Sequence, residues 1–268
     1  MSSVIRVLLL GDLVGRPGRD LFARHVEHLR SEYQLDAIII NGENCADGKG
    51  ITPAIAQFLH NHGVTVITSG NHIFDKKDIF EYLNQSETIL RPANYPDACP
   101  GKGMTFFSCK GVTVGVMNLM GRLFMPVQIN CPFQKALDLL EEAKKVTPLM
   151  FVDFHAETNA EKVALAAYLD GKVTAVVGTH THVQTADARI LPNGTAYISD
   201  LGMAGSLNSM IGATKEGFLN RFLTQMPTRY QGATDAPYVL SGAVITADTA
   251  TGKALSIEPV YVVDNDPL

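Results

Sequence analysis

The sequence predicts an α/β domain in which two packed, mixed β-sheets are flanked by helices. Three observations carry that prediction. The first third alternates short β-branched runs with amphipathic helical patterns, which implies a parallel sheet covered by helices. The middle holds two apolar runs around Lys110-Gly111, a hairpin signal, and then returns to β-α alternation. The last third is rich in strand patterns. No repeat, low-complexity tract or linker interrupts residues 1–268, so a single domain is expected.

The elements follow in order. Val4 to Leu10 is a buried-strand run that stops at Gly11-Asp12. Pro17 opens a helix with Leu21, Phe22, Val26 and Leu29 on one face. Ala37 to Ile40 is a second strand, and Asn41-Gly42-Glu43-Asn44 ends it. Pro53 starts a helix that Gly63 closes, and Val64 to Thr68 is a strand ending at Ser69-Gly70-Asn71-His72. A helix is expected over Asp78 to Leu83, and the hairpin strands over Met104–Cys109 and Val112–Asn118. Pro132 begins a helix to about Lys145, and Leu149 to Phe154 is a strand stopping at His155. A helix at Glu161–Leu169 precedes the strand Val173–Val177, which leads to Gly178-Thr179-His180-Thr181-His182. Later strands are expected at Ala188–Leu191, Ala196–Ser199, Tyr238–Ala247 and Leu255–Val263. Residues 201–236 are Gly-rich and weakly patterned, and a long surface excursion is expected there.

Composition narrows the function classes. The apolar fraction is 46%, ordinary for a globular protein, and the net charge is -5. No basic block supports binding to a nucleic-acid backbone, so no stable nucleic-acid partner is expected. Cys45, Cys99, Cys109 and Cys131 form no C-x-x-C pair, and they read as reduced thiols of a cytoplasmic protein. The N-terminal apolar run is too short for a signal peptide, and no run approaches the ~20 residues that span a bilayer.

Five strand ends carry similar polar groups: Asp12; Glu43 and Asn44; Asn71 and His72; His155; and His180 with His182. Functional groups of α/β sheets gather at carboxyl ends of strands. Each group alone has a plain reading, as a turn, a cap or a satisfied histidine. Together they read as one site. On an extended segment, alternate residues share a face, so His180 and His182 are expected to point at one place. The donors are imidazole, carboxylate and amide, which suit Fe, Mn, Zn or Co. Seven candidate ligands exceed one tetrahedral ion, but they suit two ions ~3.5–4 Å apart sharing a carboxylate. Glu43 is the natural bridge.

These motifs resemble the calcineurin-like metallophosphoesterases, and within them the bacterial YmdB branch. The resemblance runs through Gly11-Asp12-Leu13-Val14-Gly15-Arg16-Pro17-Gly18-Arg19, Asn41-Gly42-Glu43-Asn44, Gly70-Asn71-His72-Ile73-Phe74-Asp75, Thr179-His180-Thr181-His182-Val183-Gln184-Thr185-Ala186-Asp187 and Ser199-Asp200-Leu201-Gly202-Met203. It spans about Ile5 to the last strand. It implies a four-layer α/β/β/α fold and a phosphodiesterase for 2′,3′-cyclic nucleotides, with some phosphatase activity. By resemblance, one metal takes Asp12, Glu43, Asn44 and His182, and the other takes Glu43, Asn71, His155 and His180. The metals are expected to be Fe or Mn, with Zn as a further candidate, and a hydroxide between them to attack phosphorus. His72 would be the proton donor to the leaving oxygen. The superfamily's usual Asp-x-His is broken by Val14, and its usual Gly-Asp is replaced by Gly-Glu-Asn, both normal for the YmdB branch. Asn44 would then stand in for the missing histidine.

Asp75 admits two roles, orienting His72 or capping a helix, and capping is the favoured expectation. Cys45 is read as a packed residue rather than a nucleophile, because no base accompanies it. His25, His28, His60 and His62 are read as surface or half-buried histidines. Gly42 to Lys49 fails as a P-loop on spacing, and Gly50 stands where Ser or Thr belongs. Hydrolysis of an amide or amidine is disfavoured by the motif order. The alternative from another class is a nucleotide-sensing or RNA-associated scaffold with a retained metal site. The motifs leave homo-oligomerisation open.

Overall fold

The computed structural model describes residues 4–268. The chain opens with β1 (Val4–Leu13), whose two faces are both buried. Leu8 and Leu10 pack to one side, and Val7 and Leu9 to the other, as period-two alternation requires. There follow α1 (Gly15–Tyr33), β2 (Ala37–Asn41), α2 (Pro53–Asn61), β3 (Val66–Thr68) and α3 (Ile79–Gln85). Helix α1 buries the expected Leu21, Phe22, Val26 and Leu29. Helix α2 starts at Pro53, and the Thr52 side chain accepts the Ile55 amide as an N-cap.

The hairpin is β4 (Met104–Cys109) with β5 (Val112–Met120). Lys110 and Gly111 take φ 49° and 79°, the paired left-handed residues that a two-residue hairpin turn requires. Next come α4 (Pro132–Ala143), β6 (Met150–His155), α5 (Asn159–Leu169), β7 (Ala175–Thr179), β8 (Arg189–Ile190) and β9 (Ala196–Ile198). The chain ends with β10 (Met203–Ser206), α6 (Lys215–Thr224), β11 (Tyr238–Asp248) and β12 (Ala254–Asp264).

Two six-stranded mixed sheets result, ordered β12-β11-β10-β1-β2-β3 and β4-β5-β6-β7-β9-β8. Their facing surfaces share one core: Val7, Leu9, Ile39 and Ile245 of the first meet Val116, Phe151, Val177 and Ile198 of the second. Helices α1 and α2 cover the outer face of the first sheet through Leu21, Phe22 and Leu59. Helices α4 and α5 cover the second through Ala136, Leu140 and Leu165. The layers are α/β/β/α, as expected. No helix among the described residues is long and apolar enough to cross a membrane.

The expected 201–236 excursion begins later than the sequence suggested. Residues 203–206 are the fully buried strand β10, wedged between β1 and β11. Its Met-Ala-Gly-Ser sequence holds no β-branched or aromatic residue, so it carries no strand signal. Its neighbours approach its backbone closely. A Cβ on Gly18 of α1 would overlap the Ala204 carbonyl, and one on Gly11 would overlap the Gly202 carbonyl. From Leu207 onward the segment does leave the sheet. It includes α6, a helix absent from the sequence reading, which buries no residue.

This packing predicts the effect of Gly11→Ala. The added methyl meets the carbonyl that accepts the Asp12 amide at 3.1 Å. Chemical denaturation should show a loss of about 1–3 kcal/mol from overpacking. Wild-type stability in that variant would contradict the register of β1 against the Gly202 turn.

Candidate metal centre

The parallel strands of both sheets end along one edge, and the two edges meet. Asp12 lies near the end of β1; Gly42-Glu43-Asn44 follows β2; Gly70-Asn71-His72 follows β3; His155 ends β6; and His180-Thr181-His182 follows β7. All seven expected ligand residues are brought together there. They form two hydrogen-bonded groups that share Glu43.

In the first group the Asn44 amide Nδ2 lies 3.3 Å from Asp12 Oδ1, 3.2 Å from Glu43 Oε1 and 3.1 Å from His182 Nε2. A half-turn of the amide presents its oxygen to the same centre. In the second group His155 Nε2 lies 3.0 Å from Glu43 Oε1, 3.2 Å from Asn71 Oδ1 and 2.9 Å from His180 Nδ1. Glu43, His155 and His180 offer ligand atoms all within 4.8 Å of one another. Gly70 leaves room for them, since a Cβ there would overlap the His155 ring and the Glu43 carboxylate. Val14, where the wider superfamily has histidine, turns away into a small apolar cluster with Met203 and Val239.

The donor set fits cations. Asp12 and Glu43 are buried, and among the described residues their ion-pair partners are histidines alone, with no lysine or arginine. Burial pushes the Asp12 carboxyl up to about 6, against the pull of His182 and His155. Burial also works against the Glu43 carboxylate, but the adjoining His155 ring outweighs it and the pKa falls to about 2. For His155 burial disfavours the cation, yet Glu43, Asp12 and Asp153 lift its pKa to about 9. Burial and the neighbouring His155 charge depress His180 to about 3. The carboxylates thus favour one positive charge, on His155, and that charge disfavours a second on His180.

Each histidine has one ring nitrogen committed outward. His155 Nδ1 lies 2.9 Å from Thr179 Oγ1, which donates to Asp153. His182 Nδ1 donates to the Ile211 carbonyl at 2.8 Å. His180 Nε2 lies 3.1 Å from Glu157. Such outward bonds fix the tautomer that leaves the other nitrogen for an ion. His72 is tied in through its backbone, which donates to Glu43 Oε2 at 3.0 Å.

Two expectations are corrected here. The His-x-His segment is not extended: β7 stops at Thr179, and His180 and His182 take φ 103° and 64°. That left-handed backbone is costly for a residue with a side chain. It is held by the Asp12 carboxylate on the His180 amide and by Asp200, which accepts both the Thr181 amide and hydroxyl. Asp75 is not a helix cap. Helix α3 starts at Ile79 behind Asp78, and Asp75 Oδ2 instead lies 2.8 Å from His72 Nδ1.

The sequence reading assigned no role to the supporting residues, although Asn41 and Asp200 lie within its motifs. Asn41 and Thr68 of the first sheet both donate to buried Asp153 of the second, at 3.0 and 2.5 Å. Asp200 also receives buried Lys162 Nζ at 2.8 Å. The available signal was a lone polar residue inside an apolar strand, as at Asp153 in Met150–His155. Cys45 is buried, and burial pushes its thiol up to about 12, which bears out its reading as an unreactive packed residue. Above the centre lies a cleft of about 390 Å³, lined by Glu43, His72, His180 and His182 on one side and by Phe218 and Tyr230 of the excursion on the other.

Asp200→Ala should remove the partner of a buried lysine and release the Thr181 loop. A loss of about 3–5 kcal/mol is expected in chemical denaturation. A change under about 1 kcal/mol would contradict the role given to the Lys162–Asp200 pair.

Comparison with known proteins agrees with the motifs. The family described as YmdB-like protein matches residues 8–260. A Bacillus subtilis protein named 2′,3′-cyclic-nucleotide 2′-phosphodiesterase is 48% identical over 261 residues, covering 97% of this chain and 98% of its own. The crystal structure of a novel phosphatase from Mycoplasma pneumoniae superposes with a TM-score of 0.93 at 35% identity, covering 100% of this chain and 96% of its own. A Thermus thermophilus structure of a hypothetical protein gives 0.89 at 39% identity, covering 97% and 100%. The NAD nucleotidase of Haemophilus influenzae shares the fold alone, with a TM-score of 0.62 at 13% identity, covering 99% of this chain and 57% of its own. The chain belongs to the YmdB-like family.

Proposed function

We propose that this chain is a metal-dependent phosphodiesterase that hydrolyses 2′,3′-cyclic nucleotides. The observation that carries this reading is the pair of ligand groups sharing Glu43 on the floor of a cleft that His72 also lines. Asp12, Glu43, Asn44 and His182 would hold one ion, and Glu43, Asn71, His155 and His180 the other, with Fe or Mn favoured by the N/O donors. Such ions supply an acidified water and positive charge opposite the phosphoryl oxygens.

The chain's own groups do the rest. His72 Nδ1 is committed to Asp75, so Nε2 is the nitrogen that can deliver a proton to the departing ribose oxygen. Asp75 fixes that tautomer and the orientation of the ring. The His72 amide bond to Glu43 ties the acid to the ion-binding group. Phe218 and Tyr230 line the cleft opposite these groups. The identity of the Bacillus subtilis relative supports the substrate class. The four cysteines are unpaired, which suits a reducing, cytoplasmic setting.

Purified protein supplied with Mn2+ or Fe2+ should open adenosine 2′,3′-cyclic phosphate to a phosphomonoester, followed by phosphorus NMR. His72→Ala should lower kcat by about 10²–10⁴ with metal content unchanged. Binding of the cyclic nucleotide without turnover under both metals would overturn the enzyme reading in favour of a nucleotide-sensing scaffold. Full activity in His72→Ala would remove the proton-donor role.

A further inference from the structure

The excursion side of the cleft carries a feature that hydrolysis of one phosphodiester does not use. Lys49, Arg221 and Arg229 all line it. Among the described residues, none of the three side chains pairs with a carboxylate, in a chain whose net charge is -5. Only two carboxylates line the same cleft, and both are engaged: Glu43 with His155, and Glu157 with His180. Three cations facing one cavity repel each other, so an anion between them is stabilised.

One of the three, Lys49, sits over an aromatic ring. Lys49 Nζ lies 5.9 Å from the Tyr230 ring centroid. Tyr230 packs on Gly48, whose φ is 86° and whose missing side chain leaves space for the ring. The Tyr230 hydroxyl reaches the Gly212 carbonyl at 3.5 Å, one residue beyond the carbonyl that holds His182. Half-buried Phe218 supplies a second ring in the lining. Aromatic rings and guanidinium groups lining one cleft match a nucleoside carrying a phosphate.

We propose that Lys49, Arg221 and Arg229 form a second phosphate subsite, so that the favoured substrate carries a phosphate on its 5′ oxygen besides the cyclic phosphate being opened. This rests on the phosphodiesterase reading above. The 5′ phosphate can be a terminal monoester or the link to a preceding nucleotide, and both present the same oxyanions to the arginines.

Three substrates test this: adenosine 2′,3′-cyclic phosphate, its 5′-phosphorylated form, and a dinucleotide ending in the same cyclic phosphate. Wild-type protein should favour one or both of the latter by about ten-fold or more in kcat/KM, the scale of one charge-assisted hydrogen bond. Rising salt should shrink that ratio. In Arg221→Ala/Arg229→Ala the ratio should fall to about one; the dinucleotide arm shows whether the monoester or the linkage is read. Calorimetric binding of the first two compounds to both proteins gives the same ratio without turnover, so a failure of catalysis leaves the subsite tested. Equal wild-type values for all three substrates, or equal losses on all three in the variant, would overturn the proposal.

Discussion

Glu43 and Asp12 are buried side by side where two sheets meet, with imidazoles and amides around them and no lysine or arginine in ion-pair reach. Burying such charges uncompensated is costly, so the edge is built around a place for positive charge. The rest of the fold serves that constraint. The first sheet brings Asp12, Glu43, Asn44 and Asn71; the second brings His155, His180 and His182. Neither sheet holds the full set of proposed ligands, so the proposed site exists only if the sheets are locked in register. Asp153 does the locking, accepting from Asn41 and Thr68 across the interface and from Thr179 beside it. Burial raises its carboxyl pKa, against those three hydrogen bonds.

A second layer of cost is local. His180 and His182 sit in left-handed backbone, which an isolated chain would avoid. Asp200 keeps them there through Thr181, and Asp200 is itself balanced by Lys162 from α5. The excursion adds the Ile211 carbonyl on His182 and the walls of the cleft. One long segment thus shapes both the setting of His182 and the wall of the cleft.

Much of this was legible from residues alone. Polar groups directly after apolar runs marked every strand end that contributes to the centre, because strand ends are where a buried run must return to the surface. The layers followed from the order of runs and helices. What stayed hidden depends on distant contacts. Strand β10 is set by its pairing with β1 and β11, and its Met-Ala-Gly-Ser sequence carries no strand pattern of its own. The left-handed His-x-His loop is set by Asp12 and Asp200, far away in sequence, so local alternation gave the right convergence for the wrong reason. Asp75 looked like a cap because acid before a helix usually is one, whereas a turn brings it onto His72. Helix α6 carries Phe218, Leu219, Phe222 and Leu223 at helical spacing but buries none of them, and its ten residues lie within a Gly-rich segment that masked the short stripe.

The central claim is that Glu43 joins two cation sites into one. Metal-free protein titrated with Mn2+ and followed by electron paramagnetic resonance tests it most directly. Two equivalents with an exchange-coupled spectrum are expected for the wild type, and loss of that coupling for Glu43→Gln. A single bound ion, or two ions with uncoupled spectra, would contradict the shared carboxylate and the account built on it.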